Sequence, residues 1–235
     1  TGKTPQIEYL IRLLSENYKV AVLSRGYKRT TEGFILADEK ATASSIGDEP
    51  FQFYSKFPNI QVAVDANRKY GIENLLQLSN KPDVILLDDA YQHRKVKAGF
   101  YILLTAFDDL FCDDYILPFG NLREPSSGKK RADMIIVTKC PNDLSEIAQQ
   151  KIREKLKVKQ QVFFTTIQYD DFVFGNDSQL LVSEIQSESK VLVAGIAKPK
   201  LFFDFLKNEK DETMFFPDHH HFSKQDCEQI LAKAN

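Results

Sequence analysis

The chain has 235 residues, of which 43% are hydrophobic and 27% charged, and its formal net charge is −2. This composition describes a globular protein with a substantial core, and the near-neutral charge excludes the global basic field typical of nucleic-acid-binding proteins. We therefore expect no nucleic-acid partner. No apolar run approaches the ~18 residues of a membrane-spanning helix. The three cysteines, Cys112, Cys140 and Cys227, are too far apart for a C-x-x-C metal site and indicate a reducing compartment.

Strand and helix patterns alternate along the first 160 residues. A helix is predicted after Pro5, because Ile7, Leu10, Ile11 and Leu14 recur at helical spacing. Further patterns predict strands at 19–23, 60–64, 84–87, 100–104 and 134–137, and helices at 70–78 and 144–156. The third strand of this series, Val84-Ile85-Leu86-Leu87, is continuously apolar, which predicts a strand covered on both faces. The alternation indicates a parallel, doubly wound α/β sheet with helices on both faces.

The pattern changes after about residue 160. Residues 162–169 and 172–174 flank the turn residues Asp170-Asp171, which predicts a β-hairpin or a two-stranded connection. A strand at 190–194 followed by a helix at 201–206 then predicts the opening of a second, smaller α/β domain. The expected organisation is a nucleotide-binding domain at 1–160 whose first strand is missing, a two-stranded connection at 161–187, and an incomplete second domain at 188–235.

The first five residues, Thr1-Gly2-Lys3-Thr4-Pro5, match the back half of the phosphate-binding P-loop, G-x-x-x-x-G-K-[ST]. In such a loop, backbone N–H groups of Thr1, Gly2, Lys3 and Thr4 would surround phosphate oxygens, Lys3 would face the β- and γ-phosphates, and the Thr4 hydroxyl would ligate Mg²⁺. The alternative is a plain helix-starting turn. Because the full pattern needs a strand and a glycine before it, we expect the chain to be a fragment, inactive by itself.

Two acidic motifs suit a phosphoryl-transfer site. Asp88 and Asp89 follow the apolar strand at 84–87, as Walker B carboxylates do, and hard carboxylate oxygens are preferred Mg²⁺ ligands. Gly47-Asp48-Glu49-Pro50 is predicted to lie in a loop, where Asp48 could accept the proton of an acceptor hydroxyl, with Glu49 beside it. The alternative for each motif is a solvated acidic turn.

Several basic and polar groups are candidates for phosphate contacts. Arg25, Arg68 and Arg123 are predicted to lie in loops after or near strands, where a guanidinium can bind phosphate through two hydrogen bonds. Three more candidates directly follow the acidic pair: Gln92, His93 and Arg94. For each of them, an exposed surface position is the alternative.

Three of the four histidines lie in Asp218-His219-His220-His221. Adjacent histidines do not easily face one ion, and no cysteine or second histidine pair supports zinc, so a catalytic imidazole that orients an acidic base is the competing hypothesis. A solvated loop is the third possibility. Ser223 and Asp226 then predict the start of a helix.

Eight motifs in this order resemble those of the tetraacyldisaccharide 4′-kinase family. They are TGKTP at 1–5, LSRGY at 23–27, GDEP at 47–50, DDAYQHR at 88–94, LREP at 122–125, VTK at 137–139, GIAKP with FF at 195–203, and FPDHH at 216–220. Ala90 and Tyr91 stand where the family usually has Gly and Phe. The resemblance covers nearly the whole chain.

The resemblance implies an enzyme with two α/β domains and a P-loop NTPase-like sheet, which uses ATP and Mg²⁺ to phosphorylate the 4′-hydroxyl of a lipid A disaccharide precursor. It implies that Lys3 and Thr4 bind phosphate and Mg²⁺, and that Asp88 and Asp89 lie on the metal side. Asp48 is the implied base, and its partner is a histidine of the FPDHH motif. We favour His220 over His219.

The resemblance further implies a peripheral position at the cytoplasmic face of the bacterial inner membrane, through an N-terminal helix that these residues do not include. It implies nothing about oligomeric state. Two other hypotheses remain open from the residues themselves. One is a P-loop kinase of another small-molecule or sugar acceptor. The other is a nucleotide-binding regulator, since Thr138-Lys139 at a strand end is similar to the base-reading loop of GTP switches, although N-K-x-D is absent.

Overall fold

The computed structural model of the chain describes residues 2–175, 179–196, 199–218, 220 and 222–234. The chain forms two compact units, Thr1–Ile167 and Gln168–Asn235. The first unit contains, in chain order, α1 (Lys3–Ser15), β1 (Val20–Ser24), β2 (Ile35–Leu36), α2 (Ala43–Ile46), α3 (Asp48–Lys56), β3 (Gln61–Val64), α4 (Arg68–Gln77), β4 (Val84–Leu87), β5 (Ile102–Ala106), a 3-10 helix (Ser126–Arg131), β6 (Met134–Thr138), α5 (Glu146–Leu156) and β7 (Gln161–Phe164).

The strands of the first unit form two sheets, ordered β2-β3-β1-β4 and β5-β6-β7. Every pairing in them is parallel except that of β2 with β3. Successive residues of β1 face opposite sides, because side chains alternate along a strand. Val22 packs with Ile11 of α1 and Phe53 of α3, whereas Leu23 packs with Leu75 of α4. Helices therefore cover both faces of the first sheet, as the sequence pattern predicts.

Strand β4 differs from its prediction, because its four residues are only half-buried. A cavity of about 490 Å³ runs beside it, lined by consecutive residues 85–89 of the β4 side and 102–105 of the β5 side. Consecutive residues line a cavity when it lies against a strand edge, since a cavity against one face would be lined by alternate residues. Within the described residues, β4 pairs only with β1 and β5 only with β6.

The second unit contains β8 (Phe172–Phe174), β9 (Gln179–Leu181), α6 (Val182–Ser187), β10 (Val191–Ala194), α7 (Lys200–Leu206), β11 (Glu212–Phe215) and α8 (Lys224–Ala234). Strands β10 and β11 are parallel, and β8 and β9 are antiparallel. The predicted hairpin between 162–169 and 172–174 is therefore wrong. Strand β7 pairs with β6 in the first unit, because its apolar residues find a parallel partner there, and β8 pairs with the following strand instead.

Two local predictions also require correction. The GDEP motif does not lie in a loop: Asp48 is the first residue of α3, and acidic residues and proline in a first helical turn are favourable because they suit the free N–H groups and the helix dipole. Arg68 is not a loop residue either, since it begins α4 and is buried. Among the described residues, no helix has the length and apolar character needed to cross a bilayer.

Candidate active site

The amino end of α1 is suited to bind an anion. Gly2, which precedes this 13-residue helix, has φ 79°, a left-handed conformation that glycine adopts without steric cost. No side chain caps the helix, and its first turn contains no acidic residue. The first N–H groups and the positive end of the helix dipole are therefore free for a phosphate, beside the cationic Lys3. Thr1, the other predicted phosphate contact, lies outside the described residues.

Asp89 connects two cationic side chains. Lys3 Nζ lies 2.9 Å from Asp89 Oδ1, and Arg123 Nη1 donates a 3.0 Å hydrogen bond to Asp89 Oδ2. Burial acts to raise the pKa of Asp89, but the bonds and charges of Lys3 and Arg123 outweigh it, and the pKa is lowered. The residue has φ 45°, a left-handed conformation that aspartate tolerates, so the chain turns sharply where β4 ends.

Asp88 is buried and differs electrostatically from its neighbour. Burial is the largest cause of a raised pKa, and the negative charge of Glu49 raises it further, against the opposing effect of Lys3. The Ser24 hydroxyl donates a 3.3 Å hydrogen bond to Asp88 Oδ2, and Arg68 Nη2 donates one of 3.3 Å to the Asp88 carbonyl. Asp88 is thus a buried carboxyl group whose ionised form needs additional positive charge nearby.

The GDEP motif meets the P-loop threonine. Thr4 Oγ1 donates a 2.9 Å hydrogen bond to Glu49 Oε1, across 45 residues of sequence. The preceding Gly47 has φ 96°, and a Cβ there would come within 3.2 Å of the Tyr27 carbonyl oxygen, so glycine is required between α2 and α3. Asp48, one residue away from Glu49, is exposed at the start of α3.

Glu124 is the centre of a polar network that the sequence motifs did not identify. Arg131 Nη2 donates to both Glu124 oxygens, at 2.7 and 2.9 Å, while Gln92 Nε2 and Arg94 Nη2 donate at 3.1 and 3.2 Å. The bond from Arg131 is the largest cause of the lowered pKa of Glu124. Gln92 and Arg94 were predicted near phosphate, and both donate to Glu124, the residue after Arg123.

Two other predicted polar residues, Arg25 and His93, differ in their exposure to solvent. Arg25 is exposed, and its charge acts on both Arg68 and His93. The pKa of His93 is lowered, by burial first and then by the nearby cations. Ser24, Arg68 and Glu124 are the supporting residues that sequence reasoning missed in these roles. The sequence offered two signals: Ser24 lies at the end of a predicted strand, and Glu124 belongs to the LREP motif. Only the contacts in the structure show that they support Asp88 and the arginines.

His220 belongs to the second unit. Its Nε2 lies 3.1 Å from Asp226 Oδ2, and its ring stacks on Phe216 and meets the edge of Phe222. Hydrogen bonds from the Ser223 hydroxyl and N–H, and then the one with His220, lower the pKa of Asp226 to about 2. Ser223 caps α8 as predicted, because Asp226 N–H donates to its hydroxyl at 3.2 Å. His219 lies outside the described residues.

The donor groups near α1 fit a hard divalent cation. They combine the Thr4 hydroxyl with the carboxylates of Glu49, Asp88 and Asp89, and Asp88 is a buried carboxyl in need of positive charge. Within the described ranges, no three His, Cys, Asp or Glu side chains are arranged to hold a metal ion by themselves. Mg²⁺ at a phosphate site typically uses one or two carboxylates, with phosphate and water oxygens as its other ligands.

A parallel sheet covered by helices, an uncapped helix with a Gly-Lys-Thr start, and an aspartate pair at a neighbouring strand end define a P-loop phosphotransferase. A family model described as Tetraacyldisaccharide-1-P 4'-kinase matches residues 1–235. The chain belongs to this family of ATP-dependent kinases.

Individual relatives agree with this assignment. The chain is 65% identical to a tetraacyldisaccharide 4′-kinase of Flavobacterium johnsoniae over 237 residues, covering 100% of the chain and 70% of the relative. It is 63% identical to the Flavobacterium psychrophilum protein of that name over 238 residues, covering 100% and 69%. Its fold is similar to a crystal structure of LpxK from Aquifex aeolicus in complex with ATP, with a TM-score of 0.76 and 28% identity, covering 95% of the chain and 69% of that structure.

Proposed function

We propose that the site at the amino end of α1 binds ATP with Mg²⁺, and that Asp48 activates the acceptor hydroxyl. The chain belongs to the tetraacyldisaccharide 4′-kinase family, whose reaction transfers the γ-phosphoryl group of ATP to the 4′-hydroxyl of a tetraacylated glucosamine disaccharide 1-phosphate in lipid A biosynthesis. The observation that carries the proposal is the convergence of Lys3, Thr4, Glu49, Asp88 and Asp89 on one helix terminus.

Lys3 and the α1 terminus bind the triphosphate in this proposal. Lys3 is held in place by Asp89, which lies 2.9 Å from its Nζ, so its ammonium group is positioned before nucleotide arrives. A pre-positioned charge stabilises the transferring phosphoryl group without reorganisation during the reaction. Arg123 shares Asp89 with Lys3 and supplies a second cation at the same carboxylate.

Thr4 and Asp88 are the groups that would hold Mg²⁺, with Asp89 and Glu49 beside them. Bound Mg²⁺ neutralises charge on the β- and γ-phosphate oxygens. The protein's part is to keep Asp88 buried, with the Ser24 hydroxyl bound to its carboxylate and the Arg68 guanidinium bound to its backbone carbonyl. Asp88 must be ionised for this role, and the negative charge of Glu49 opposes its ionisation.

Asp48 is the proposed base on the acceptor side. Its carboxylate takes the proton of the 4′-hydroxyl as the sugar oxygen forms a bond to the γ-phosphorus, and the bond from that phosphorus to the β–γ bridging oxygen breaks to release ADP. A histidine of the FPDHH motif, His220 in preference to His219, assists this proton transfer. Asp226 holds the His220 ring in one orientation.

The cavity beside β4 supports the prediction that a strand precedes Gly2. A strand placed there would pair with the edges of β4 and β5 that have no partner strand among the described residues, and would join the two sheets into one, as a P-loop requires. Its carboxyl end would lead to α1, because Lys3 and Asp89 line the same cavity. In this proposal, the nucleotide domain is the first unit, which includes β7, and the connection and part of the second domain lie in the second unit. A segment outside the chain contacts the cytoplasmic face of the inner membrane.

The decisive experiment uses the intact protein with γ-labelled ATP, Mg²⁺ and the tetraacylated disaccharide 1-phosphate. We expect label on the 4′-oxygen only when this acceptor is present. Asp48→Ala should lower turnover roughly 10²- to 10⁴-fold, the usual contribution of a general base, while ATP affinity changes little. Glu39→Ala, which removes an exposed carboxylate elsewhere in the first unit, is the matched control.

The outcomes separate the alternatives. Normal turnover by Asp48→Ala would exclude Asp48 as the base while leaving the kinase assignment intact. Equal transfer to a disaccharide without acyl chains would favour a kinase of another sugar acceptor. A preference for GTP with no acceptor-dependent transfer would favour a nucleotide-binding regulator.

A further inference from the structure

Glu8 is an acidic side chain buried in the middle of α1, with 6% of its surface exposed. A buried carboxylate must be paired, because the loss of its hydration is costly. Its Oε1 accepts a 2.8 Å hydrogen bond from Gln52 Nε2, and its Oε2 lies 2.6 Å from Lys56 Nζ. Arg12 Nη2 lies 3.4 Å from the same Oε2. Glu8 is therefore bound both by α3 and by its own helix.

Glu8 lies between two further contacts that join α1 to α3. One turn before it, the Thr4 hydroxyl donates to Glu49. One turn after it, the Arg12 guanidinium lies 5.2 Å from the centre of the ring of Phe57, the residue that ends α3. Residues four apart lie on one face of a helix, so these α1 residues form a row. Later residues of α1 meet later residues of α3, and the two helices therefore run in the same direction with their amino ends at the same end.

The amino ends of α1 and α3 carry the two sides of the proposed reaction. Lys3 and Thr4 begin α1, where the phosphates would bind, and Asp48 is the first residue of α3. The acceptor oxygen must reach the γ-phosphorus while Asp48 takes its proton, and a misplacement of about 1 Å can cost about 100-fold in rate. The offset of α3 along α1 therefore matters to the reaction.

Apolar packing alone does not fix this offset. Ile11 of α1 and Phe53 of α3 belong to one core cluster, but apolar contact is non-directional and permits small slides of one helix along the other. The Glu8 carboxylate has defined hydrogen-bond directions. Gln52 and Lys56 hold its two oxygens from successive turns of α3, so a slide of α3 would lengthen one of these bonds.

We propose that Glu8 is a positioning residue, which fixes the offset of α3 along α1 and so places Asp48 against the phosphate bound at the α1 terminus. It acts through Asp48, because its carboxylate lies one turn beyond Thr4 and is bound by the helix that Asp48 begins. The inference rests on the proposed function, in which Asp48 is the base. A purely stabilising ion pair is the competing explanation, and it would change unfolding but not the turnover of the folded enzyme.

The first experiment separates positioning from stability. In the intact protein, Glu8→Met/Lys56→Met replaces the ion pair by apolar side chains of similar length, an exchange that is often neutral for stability. The Tm should stay within about 3 °C of the wild-type value, while kcat falls roughly 10- to 100-fold and the KM for ATP changes less than about twofold. Lys69→Met/Glu73→Met is the matched control, because it removes an ion pair within α4 and should leave kcat unchanged.

Two outcomes of this experiment would overturn the proposal. One is a kcat of Glu8→Met/Lys56→Met equal to that of the α4 control. The other is a lowered Tm with a kcat that recovers at temperatures well below it, since that result would identify Glu8 as a stabilising residue only.

A double-mutant cycle tests the route through Asp48. If Glu8 acts by placing this base, Glu8→Met/Lys56→Met should cost less than about twofold in kcat in the background of Asp48→Ala, where there is no base to place. A further loss as large as that seen with Asp48 present would overturn the inference and leave the kinase assignment intact. Normal turnover by Asp48→Ala alone would overturn the proposed base and the inference with it, so the two failures are distinguishable.

Discussion

The Thr4 hydroxyl donates a 2.9 Å hydrogen bond to the Glu49 carboxylate, which joins the P-loop threonine to the first turn of α3. Glu49 also acts electrostatically on Asp88, whose pKa is raised by burial first and by this neighbouring charge second. One glutamate therefore influences both groups that we propose as Mg²⁺ ligands.

Replacing Glu49 by glutamine should make Asp88 easier to ionise. Glu49→Gln keeps an oxygen that accepts the Thr4 hydroxyl, but it removes the negative charge that raises the Asp88 pKa. The acidic limb of the pH profile of kcat/KM should therefore move to lower pH. Thr4→Ser, which keeps the hydroxyl and the charge, is the control, and an acidic limb that stays in place would contradict the assignment.

Asp88→Asn should stabilise the protein without ligands while it weakens metal-dependent nucleotide binding. A carboxyl group whose folded pKa is raised favours the native state most below its unfolded pKa, and this contribution is lost as pH rises through the folded value. At pH 7.5 the variant should gain roughly 2–4 °C in Tm, the shift expected for about 1 kcal/mol in a protein of this size.

The same variant should show no gain in Tm at pH 3, where Asp88 is protonated. Calorimetric titration with ATP should show a loss of affinity in the presence of Mg²⁺ and little change in EDTA. A variant whose Tm is lower at pH 7.5 but unchanged at pH 3 would show instead that the ionised carboxylate stabilises the fold.

Glu124→Ala should destabilise the first unit, because it removes the two hydrogen bonds from Arg131 to Glu124 and those from Gln92 and Arg94. We expect a loss of about 1–3 kcal/mol in the free energy of unfolding at pH 7, measured by urea denaturation. The Glu124 pKa is lowered, so its contribution is present above the ordinary carboxyl value of 4.5 and is lost as pH falls through the folded value.

The two arginines of this network provide an internal comparison. Arg131→Ala should cost more than Arg94→Ala, since Arg131 is less exposed and also lies 4.6 Å from the centre of the Tyr91 ring. Equal effects of the two substitutions would mean that Glu124 does not act mainly through Arg131.

Asp226→Asn should lower kcat roughly 10- to 100-fold with little change in KM, because His220 loses an oriented charged partner. Asn keeps an acceptor oxygen for the α8 cap, so the fold should be retained. The Asp226 pKa of about 2 means that this carboxylate is ionised throughout the working range and contributes no limb to the pH profile above pH 4. Glu228→Gln is the control, because it makes the same carboxylate-to-amide change at an exposed position of α8 and should leave kcat nearly unchanged.

The repeated local patterns made much of the fold predictable. The helix after Pro5 and the strand at 84–87 follow from apolar spacing, which is a property of neighbouring residues. The sequence did not predict that α3 begins at Asp48, because a glycine followed by two acidic residues is common both in turns and at the starts of helices. Strand β7 was found, but its partner was not, since pairing depends on contacts far apart in sequence.

By itself, the sequence determined the class of chemistry, because lysine, threonine and paired aspartates have charges and oxygen atoms that suit phosphate and Mg²⁺ wherever they occur. The order of eight motifs determined the family. Only the tertiary structure decided how these groups act on each other. Asp88 and Asp89 are adjacent and chemically identical, yet burial beside Glu49 raises one pKa, whereas Lys3 and Arg123 lower the other. Depth and neighbours set these differences, and both arise when distant segments pack together.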